Sequence, residues 1–520
     1  MNGVPIVALV LSTILAGPER ETGPERPNIV LILADDHRHD ALGFLGHPFL
    51  KTPNLDRLAR EGIHFKRAVV TTSLCSPSRA TILTGLYAHR HGVIDNYHPI
   101  RPDLVMFPER LQKAGYQTAF IGKWHMGDSD EPQRGFDHWV GFRGQGQYYP
   151  GGRGTSRTVP QTSNLGYNVN GKRRPQQGYI TDELTDFALE WLDGRQRGTP
   201  FFLYLSHKAV HSDFVPADRH RGRYADAKVT LPKPPDQKAG DRPRWLIDQR
   251  NSRHGAGFAY NLPNFDMVAY YRRYCEAILP LDESVGRILD HLERAGILDN
   301  TLVVYMGDNG FQFGEQGLID KRTAYEASIR IPLLMRWPAG LPAGRSVSEV
   351  VANLDIAPTL LAAAGVPVQD TFDGRNALPL ARAKVPEISW RDALLYEYFW
   401  ERNYPQTPTM HAVLAGRWKY IRYHGIWDTD ELFDLKADPE EHENLIARPE
   451  HRQTLARLHK KLFELLGDTQ GGNIPLPPDR GETFPWRKPD GPPEGAFPGR
   501  FFVPSEPVRV PPFAMGLDQN

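Results

Sequence analysis

The chain has 520 residues, of which 40% are hydrophobic, so it can bury a large core and should form two or more structural units. Lys and Arg together number 62, and Asp and Glu also number 62, so the formal net charge is zero. This balance excludes a protein that binds nucleic acid through its overall charge, and any attraction for an anionic substrate must be local.

The N-terminus carries an apolar run, Val4–Ala16, whose length suits the core of a signal peptide and is short for a membrane span. We therefore predict that residues 1–26 are a signal peptide with a short linker, and that the mature protein is periplasmic or secreted. No other stretch is apolar enough to cross a bilayer, so we expect no stable membrane span. An exported protein could join its two cysteines, Cys75 and Cys275, in a disulfide, but the sequence around them argues against it.

Four short apolar runs alternate with segments of helical periodicity, a pattern typical of a parallel sheet covered by helices. The runs span residues 28–34, 118–121, 201–205 and 301–306. The helical segments span residues 54–61, 108–114, 181–192 and 270–295. The sequence therefore predicts an α/β fold, with a mostly parallel central sheet flanked by helices, in a main domain over residues 27–380.

Two long segments, residues 143–178 and 213–265, interrupt this pattern and do not look like packed secondary structure. They are basic, and two interpretations stay open: they draw in an anionic substrate, or they are ordinary solvated loops. The basic residues include Arg153, Arg157, Lys172, Arg173 and Arg174.

The character of the chain changes near Pro379, where short aromatic runs replace the long apolar ones. A helical segment follows near residues 452–466. We predict a small antiparallel α+β subdomain over residues 381–470. The remaining residues, 471–520, are crowded with proline and should form an extended tail.

Polar and reactive side chains follow each of the four apolar runs. Ligands of open α/β sheets bind beyond the carboxyl ends of the strands, so these side chains should meet in one crevice. Each group alone would suit a helix cap or a turn, but four groups at one edge predict a functional site. The groups are Asp35 and Asp36; Lys123 and His125; His207, Lys208 and His211; and Asp308 and Asn309.

Asp35, Asp36, Asp308 and Asn309 have the character of a metal site. Three carboxylates and an amide oxygen in a crevice of low dielectric would repel one another unless a cation lay among them. Ligands that are all oxygen favour calcium or magnesium, whereas zinc or iron would recruit His or Cys. The sequence predicts Ca²⁺, with Mg²⁺ as the alternative.

The most specific segment runs from Cys75 to Gly85 and begins Cys-Ser-Pro-Ser-Arg. Ser76 can cap a helix, Pro77 suits its first position and Gly85 its end, so Cys75 should lie at a helix N-terminus. A thiol there has a depressed pKa, which by itself would suggest a thiol enzyme or a redox site. Cys275 lies within a helical segment and is predicted to be an apolar core filler.

The Cys-x-Pro-Ser-Arg pattern resembles the signature of the sulfatase family, in which the cysteine is oxidised to formylglycine. The similarity runs from Pro27 to the segment Asp434–Leu445. It implies an alkaline-phosphatase-like fold, a sulfuric ester hydrolase and maturation by a formylglycine-generating enzyme. The implied metal ligands are Asp35, Asp36, Cys75, Asp308 and Asn309, and the implied catalytic residues are Cys75, Arg79, Lys123, His125, His211 and Lys321. The chain departs from many relatives at Val210, where they have proline, but His211 is in place.

The resemblance also implies roles for the catalytic residues. Lys123 and Lys321 would hold sulfate oxygens, and Arg79 would hold the hydrated formylglycine. His125 would act as a base and His211 as an acid, although these two roles could be exchanged.

Local strings such as Thr71–Arg79, Tyr87–Asn96 and Phe136–Phe142 are similar to sulfatases that act on N-acetylglucosamine 6-sulfate in glycosaminoglycans or mucins. The implied substrate is this ester or a related sulfated carbohydrate, with aryl and choline sulfates as alternatives. Candidate sugar contacts are His411, Tyr423, His424 and Trp427, with Tyr148 and Tyr149 on the first long segment.

Two functions of other kinds stay open. The same scaffold hosts phosphoryl transfer, so the chain could be a phosphate or phosphonate monoester hydrolase. It could also be a non-catalytic protein that binds sulfated glycans, in which Cys75 is never converted.

Overall fold

The computed structural model describes residues 26–154, 166–232, 235, 242–250, 266–382, 389–402, 404–425 and 428–475. The predicted signal peptide and the proline-rich tail lie outside these ranges, apart from their innermost residues. Arg157 and Trp427 also lie outside the described residues.

A ten-stranded mixed sheet forms the centre of the molecule, in the order β12-β2-β11-β8-β1-β7-β3-β4-β5-β6. Its middle five strands, from β8 to β4, are parallel to one another. The strands are β1 (Asn28–Ala34), β2 (Ile63–Val69), β3 (Gln117–Lys123), β4 (His138–Phe142), β5 (Tyr167–Val169), β6 (Lys172–Arg174), β7 (Phe201–Ser206), β8 (Thr301–Gly307), β11 (Leu333–Arg336) and β12 (Arg345–Ala352). A separate two-stranded ribbon pairs β9 (Gln312–Phe313) with β10 (Ile319–Asp320).

Helices cover both faces of this sheet, as the buried apolar strands require. The α-helices of the described residues are α1 (Pro53–Glu61), α2 (Cys75–Thr84), α3 (Ala88–His91), α4 (Phe107–Lys113), α5 (Ile180–Gly194), α6 (Trp245–Arg250), α7 (Met267–Arg294), α8 (Glu326–Ile329), α9 (Ile356–Ala363), α10 (Leu378–Arg382) and α11 (Arg452–Asp468). The four apolar runs became β1, β3, β7 and β8, and the four helical segments became α1, α4, α5 and α7. The bounds of β1 are those predicted, and the others are shifted by one to three residues. The predicted α/β class is confirmed.

Strand β1 shows how the two layers are built. Its side chains alternate between the faces of the sheet, so neighbouring residues enter different cores. Ile29 and Leu31 join the cluster that contains residues of α2, α4 and α9. Val30 and Ile32 join the cluster that contains residues of α1, α5 and α7. The functional residues at the end of β1 are therefore fixed by packing from both sides.

The two long segments carry more structure than their composition indicates. The first contains β5 and β6, which extend the main sheet as an antiparallel hairpin beside β4, and the second contains α6. The expectation of no packed secondary structure was wrong there, because backbone pairing and not apolar periodicity builds such a short, charged hairpin.

The basic residues of these segments are largely paired with acids. Arg153 forms an ion pair with Asp218 at 2.7 Å, Arg173 with Asp130, and Arg174 lies 3.8 Å from Glu190. These pairs favour the interpretation as ordinary loops over that of an anion-attracting surface.

A four-stranded antiparallel sheet forms the small subdomain, in the order β13 (Leu394–Tyr398), β14 (Thr409–Ala415), β15 (Trp418–His424) and β16 (Glu431–Asp434). Helix α11 packs against β13, β14 and β15. Within it, Lys419 is buried and forms ion pairs at 2.7 Å with Glu326 of α8 and with Glu441. These pairs tie the subdomain to the segment that carries β10 and α8.

Cys75 and Cys275 are both buried and unpaired, which confirms that they form no disulfide with each other. Cys275 packs in the apolar core of α7, as predicted. Within the described residues, no helix has both the length and the apolar character that a membrane span needs.

Candidate functional site

Two pairs of residues with side-chain oxygens meet at the carboxyl edge of the main sheet. Asp35 and Asp36 follow β1, and Asp308 and Asn309 follow β8, whose Gly307 pairs in register with Ala34. The backbone N–H of Asp36 donates to Asp308 Oδ1 at 3.0 Å. One carboxylate oxygen from each of Asp35, Asp36 and Asp308 lies within 4.8 Å of the others. The predicted convergence of these residues is therefore observed.

The three carboxylates perturb one another strongly. Burial, partly offset by Lys321, raises the pKa of Asp36 to about 7. Burial and the neighbouring Asp35 also raise the pKa of Asp308. Burial opposes ionisation of Asp35 as well, but Lys123 and His211 hold the pKa of Asp35 well below its usual range. The cluster concentrates negative charge in a place where water cannot screen it.

Oxygen atoms at this edge have the arrangement that a hard cation needs. Asp36 Oδ2 and Asn309 Oδ1 are buried and have no hydrogen-bond partner among the residues that the structure describes. Buried acceptors of this kind cost free energy unless a donor or a cation satisfies them. The four residues Asp35, Asp36, Asp308 and Asn309 thus fit a divalent cation that prefers oxygen ligands.

Cys75 is the first residue of α2, and all ten residues of this helix are buried. Its Sγ lies 3.4 Å from Asp35 Oδ1 and 3.1 Å from Lys321 Nζ. Burial, with the charge of Asp35, raises the pKa of the Cys75 thiol to about 12. The position at a helix start is as predicted, but the depressed pKa expected for a thiol enzyme is contradicted.

The local cap of α2 differs from the sequence prediction. The capping position is taken by the extended residue Leu74, which makes no side-chain cap. Ser76 is already inside the helix, and its hydroxyl donates to the carbonyl oxygen of His125. Gly85 ends the helix at a φ of 65°, as predicted for glycine.

Arg79 lies one turn after Cys75 and is 1% exposed. Its Nε and Nη2 donate to Asp308 Oδ2 at 3.0 and 2.8 Å. Its Nη1 donates to the carbonyl oxygen of Lys123 and to Ser206 Oγ, both at 2.7 Å. The guanidinium therefore joins the ends of β3, β7 and β8, whereas the sequence prediction directed it at residue 75.

Two lysines approach the carboxylates from opposite sides. Lys123 Nζ, at the end of β3, forms an ion pair with Asp35, and Lys321 Nζ, after β10, forms one with Asp36. Both are almost fully buried. They place two positive charges next to Cys75, where an anionic group could be held between them.

The two candidate histidines also border Cys75. A ring nitrogen of His211 lies within 4.8 Å of Cys75 Sγ and of an Asp35 oxygen. His211 Nδ1 donates to the carbonyl oxygen of Ser212 at 2.7 Å, which leaves Nε2 free. His125 has a φ of 57°, and its Nε2 lies 3.0 Å from Gln145 Nε2. Burial, together with Lys123, lowers the pKa of both imidazoles well below its usual value.

Three of the four sugar contacts predicted in the small subdomain are described by the structure, and two of them, His411 and His424, bond to each other. His411 of β14 is 2% exposed, and its Nδ1 lies 2.9 Å from His424 Nε2. Tyr423 is 6% exposed, and its hydroxyl donates to Glu431. Tyr148, on the first long segment, is closer to the reactive cluster, because its hydroxyl donates to the carbonyl oxygen of His211 at 2.7 Å.

Sequence reasoning missed Gln145, which links two site residues. Its side-chain oxygen accepts from Lys123 Nζ at 2.5 Å, and its nitrogen faces His125. The residue lies on a loop without periodicity, so no signal in the sequence marked it.

A second missed group is the pair Ser73 and Tyr396, which joins the small subdomain to the cluster. The Tyr396 hydroxyl lies 2.6 Å from Ser73 Oγ and donates to the carbonyl oxygen of Thr323 at 2.9 Å. Ser73 Oγ also lies 3.1 Å from the carbonyl oxygen of Lys321. These contacts hold the backbone at Lys321 and at Thr323, two residues after it.

Comparisons with known proteins agree with this geometry. A family model described as sulfatase matches residues 27–366. A second model, described as the C-terminal part of N-sulphoglucosamine sulphohydrolase, matches residues 314–468.

Two relatives are similar over most of their length. The N-acetylglucosamine-6-O-sulfatase of Bacteroides thetaiotaomicron is 34% identical over 92% of this chain and 92% of its own. The human N-acetylglucosamine-6-sulfatase is 31% identical over 79% of this chain and 74% of its own.

A solved structure resembles the fold described above. It is described as a complex with its substrate, D-glucosamine-2-N,6-O-disulfate, and it superposes with a TM-score of 0.76 and 31% sequence identity. The match covers 86% of this chain and 99% of that one.

Proposed function

Because the chain belongs to the sulfatase family and hydrolyses sulfate esters, we propose that its substrate is the 6-O-sulfate of N-acetylglucosamine or of a closely related sulfated glycan. The observation that carries the proposal is the placement of Cys75 between Lys123, Lys321 and the buried carboxylates. The substrate itself is supported by the two relatives that act on this ester and by the solved complex with a 6-O-sulfated glucosamine.

We propose that two groups complete the site. A formylglycine-generating enzyme, with an external oxidant, would convert Cys75 to formylglycine, whose hydrate would offer one hydroxyl to attack sulfur and a second to release sulfate. Asp35, Asp36, residue 75, Asp308 and Asn309 would hold Ca²⁺, or alternatively Mg²⁺, which would supply a Lewis acid for the sulfate oxygens.

In this proposal, Lys123 and Lys321 hold the sulfate group. Each ammonium is buried beside a carboxylate, so each charge is fixed in position before substrate binds. Gln145 keeps Lys123 directed at the cluster, and Arg79 ties Asp308 to the end of β3. The site thus places positive charge where negative charge increases during transfer.

The two imidazoles divide the proton transfers. His125 is held neutral by burial and by Lys123, so it is suited to accept a proton from residue 75. His211 has a ring nitrogen near Cys75, and its Nε2 makes no hydrogen bond to any described residue, so it is suited to protonate the departing alcohol. The negative charge of a bound sulfate raises the pKa of this imidazole and so favours its acid form.

The acid role of His211 predicts an effect that depends on the leaving group. A sugar alcohol leaves poorly and needs a proton, whereas a nitrophenolate leaves without one. His211→Ala should therefore lower kcat/KM about a hundredfold or more for N-acetylglucosamine 6-sulfate, and much less for 4-nitrophenyl sulfate. Steady-state kinetics with both substrates measure the difference.

His125→Ala provides the matched control for that measurement. A base that acts on residue 75 is needed for every ester, so this variant should lose activity on both substrates by similar factors. If instead His125→Ala is selective for the sugar ester and His211→Ala is not, the two roles are exchanged.

The contacts of Tyr396 predict that the small subdomain contributes to catalysis. Tyr396→Phe removes the hydroxyl that bonds Ser73 and the carbonyl oxygen of Thr323, next to the backbone of Lys321, so the ammonium is held less well. We expect kcat/KM to fall about tenfold in protein that remains folded. Tyr116→Phe is the control, because it also deletes a buried hydroxyl bond to a carbonyl oxygen, that of Pro27. Equal activity losses in both variants would show that the effect is only on stability.

A substrate panel tests the proposed function directly. Sulfate release is measured from the 6-sulfates of N-acetylglucosamine and N-acetylgalactosamine and from 4-nitrophenyl sulfate. Release of phosphate or phosphonate is measured from the matching phosphate and phosphonate esters. The proposal requires the highest kcat/KM for the N-acetylglucosamine ester. A preference for the phosphonate or for the aryl sulfate would replace it with one of the alternative hydrolases.

We also propose a location and a division of the chain. The signal peptide over residues 1–26 directs a periplasmic or secreted enzyme, residues 27–380 form the catalytic domain, residues 381–470 form the small subdomain, and residues 471–520 form the tail. His411, Tyr423, His424 and Trp427 contribute to sugar recognition in this proposal.

A further inference from the structure

A cavity of about 850 Å³ lies within the small subdomain, away from the residues around Cys75. It is open to solvent between the outer part of β15, the turn that follows it and one face of α11. Its walls include Tyr420 and Arg422 of β15, Asp428 and Asp430 of the turn, and Arg452 and His459 of α11. A volume of this size is in the range of small-ligand sites.

The acidic residues of the cavity are already occupied by protein donors. The carboxylate of Asp428 accepts the backbone N–H groups of Arg244 and Trp245 at 2.8 and 2.9 Å. Asp430 accepts the Tyr420 hydroxyl at 2.6 Å. These two carboxylates therefore form hydrogen bonds within the protein and have little capacity left to bind a ligand.

One basic residue of the cavity is paired and two are not. Arg422 Nη1 forms an ion pair with Asp430 at 3.4 Å, and Arg422 Nε is buried with no hydrogen-bond partner among the described residues. Arg452 and His459 are exposed on α11, and neither forms an ion pair with a carboxylate in the described part of the chain. The cavity thus presents Arg452 and His459 to solvent without a carboxylate partner among the described residues, which favours an anionic ligand.

An exposed aromatic ring borders the same donors. Phe463 of α11 is 45% exposed and packs against the His459 ring at 4.9 Å. The Arg422 guanidinium lies over the Phe463 ring at 5.7 Å. A solvent-exposed ring beside basic groups can contact the apolar face of a sugar while the basic groups contact its charged substituents.

We propose that this cavity binds a sulfated segment of the glycan chain at a distance from the ester that is cleaved. Arg452, His459 and Arg422 contact sulfate groups, and Phe463 contacts the face of a sugar ring. The inference rests on the proposed function, because only an enzyme of sulfated glycans meets such chains. A second contact with the same polymer raises the effective concentration of its ends at the catalytic site.

The test compares two charge reversals on α11. Arg452→Glu changes a residue that lines the cavity, and Arg457→Glu makes the same change at an exposed residue of the same helix outside the lining. Both are made in full-length Cys75→Ala protein, so that the probe, a size-defined heparin octasaccharide, is not consumed. At low ionic strength we expect Arg452→Glu to weaken binding about fivefold and Arg457→Glu to leave it unchanged.

His459→Ala and Phe463→Ala provide a second measurement without charge reversal, and both should also weaken binding of the octasaccharide. Equal effects of Arg452→Glu and Arg457→Glu, or no effect of any lining variant, would overturn the proposal. In the background that retains Cys75, hydrolysis of monomeric N-acetylglucosamine 6-sulfate should be the same in all four variants. Absence of that hydrolysis in the unmutated enzyme refutes the proposed function, whereas the binding data still decide whether the cavity is a glycan site.

Discussion

Cys75→Ala is expected to lower the hydrolysis of N-acetylglucosamine 6-sulfate by roughly 10⁴-fold or more, because it removes the proposed nucleophile. Cys75→Ser should be almost as inactive. A serine hydroxyl could attack sulfur, but it has no second hydroxyl with which to release the sulfate. The rate of sulfate release from purified variants, at protein concentrations high enough to detect residual activity, measures both effects.

Mass spectrometry of the tryptic peptide 68–79 identifies the chemical state behind those rates. The enzyme should contain the aldehyde or its hydrate at residue 75 when it is made together with a formylglycine-generating enzyme. Cys275→Ala is the control, since that thiol is buried in the core of α7 and should be dispensable for activity. An active enzyme whose peptide carries an unmodified thiol would contradict the formylglycine mechanism.

Asp36→Asn is expected to reduce both the bound metal and the activity by at least about a hundredfold at low calcium. The carboxylate of Asp36 has a buried oxygen without a hydrogen-bond partner, and its pKa is raised to about 7 by burial, so its charge needs a cation. The amide of asparagine keeps the shape and removes the charge. Elemental analysis after dialysis, and rates measured against added Ca²⁺ and Mg²⁺, separate loss of metal from loss of folding.

Asp299→Asn is the matched control for the metal prediction. Asp299 has a side chain that is 86% exposed, so its substitution should change neither metal content nor rate. The metal assignment is wrong if Asp36→Asn protein binds calcium as tightly as the unmutated enzyme, or if chelation leaves the unmutated enzyme fully active.

The parts of the site that follow strands could be predicted from the sequence. Asp35, Asp36, Asp308 and Asn309 come directly after buried apolar runs, and the parallel pairing of β1 with β8 brings them together. The run of β1 has the predicted bounds, and β8 ends one residue later than predicted, directly before Asp308. The alkaline-phosphatase-like fold implied by the resemblance is also confirmed.

Contacts made by loops and by the small subdomain could not be predicted. Gln145 reaches Lys123 from a segment without periodicity, and Tyr396 reaches Ser73 across 323 residues of sequence. Such contacts depend on the three-dimensional path of the chain and leave no local pattern. The hydrogen-bond partners of Arg79 could not be predicted either. Spacing along a helix shows which face a residue occupies, but it does not show which of several neighbours its guanidinium binds.

The prediction of a depressed pKa for the Cys75 thiol was wrong for a related reason. A helix N-terminus favours a thiolate, but the complete burial of Cys75 and the adjacent Asp35 carboxylate outweigh that effect. Sequence position describes the helix, whereas burial is a property of everything packed around it.

The burial of α2 determines when during biosynthesis the enzyme can become active. A modifying enzyme cannot bind the chain around Cys75 once all ten residues of this helix are buried. The proposed oxidation must therefore precede folding, and a molecule that folds first stays inactive for the rest of its lifetime. In this proposal, the specific activity of a preparation depends on the rate of Cys75 oxidation relative to the rate of folding of the newly made chain. Refolding purified inactive protein does not change the fraction of chains that were oxidised.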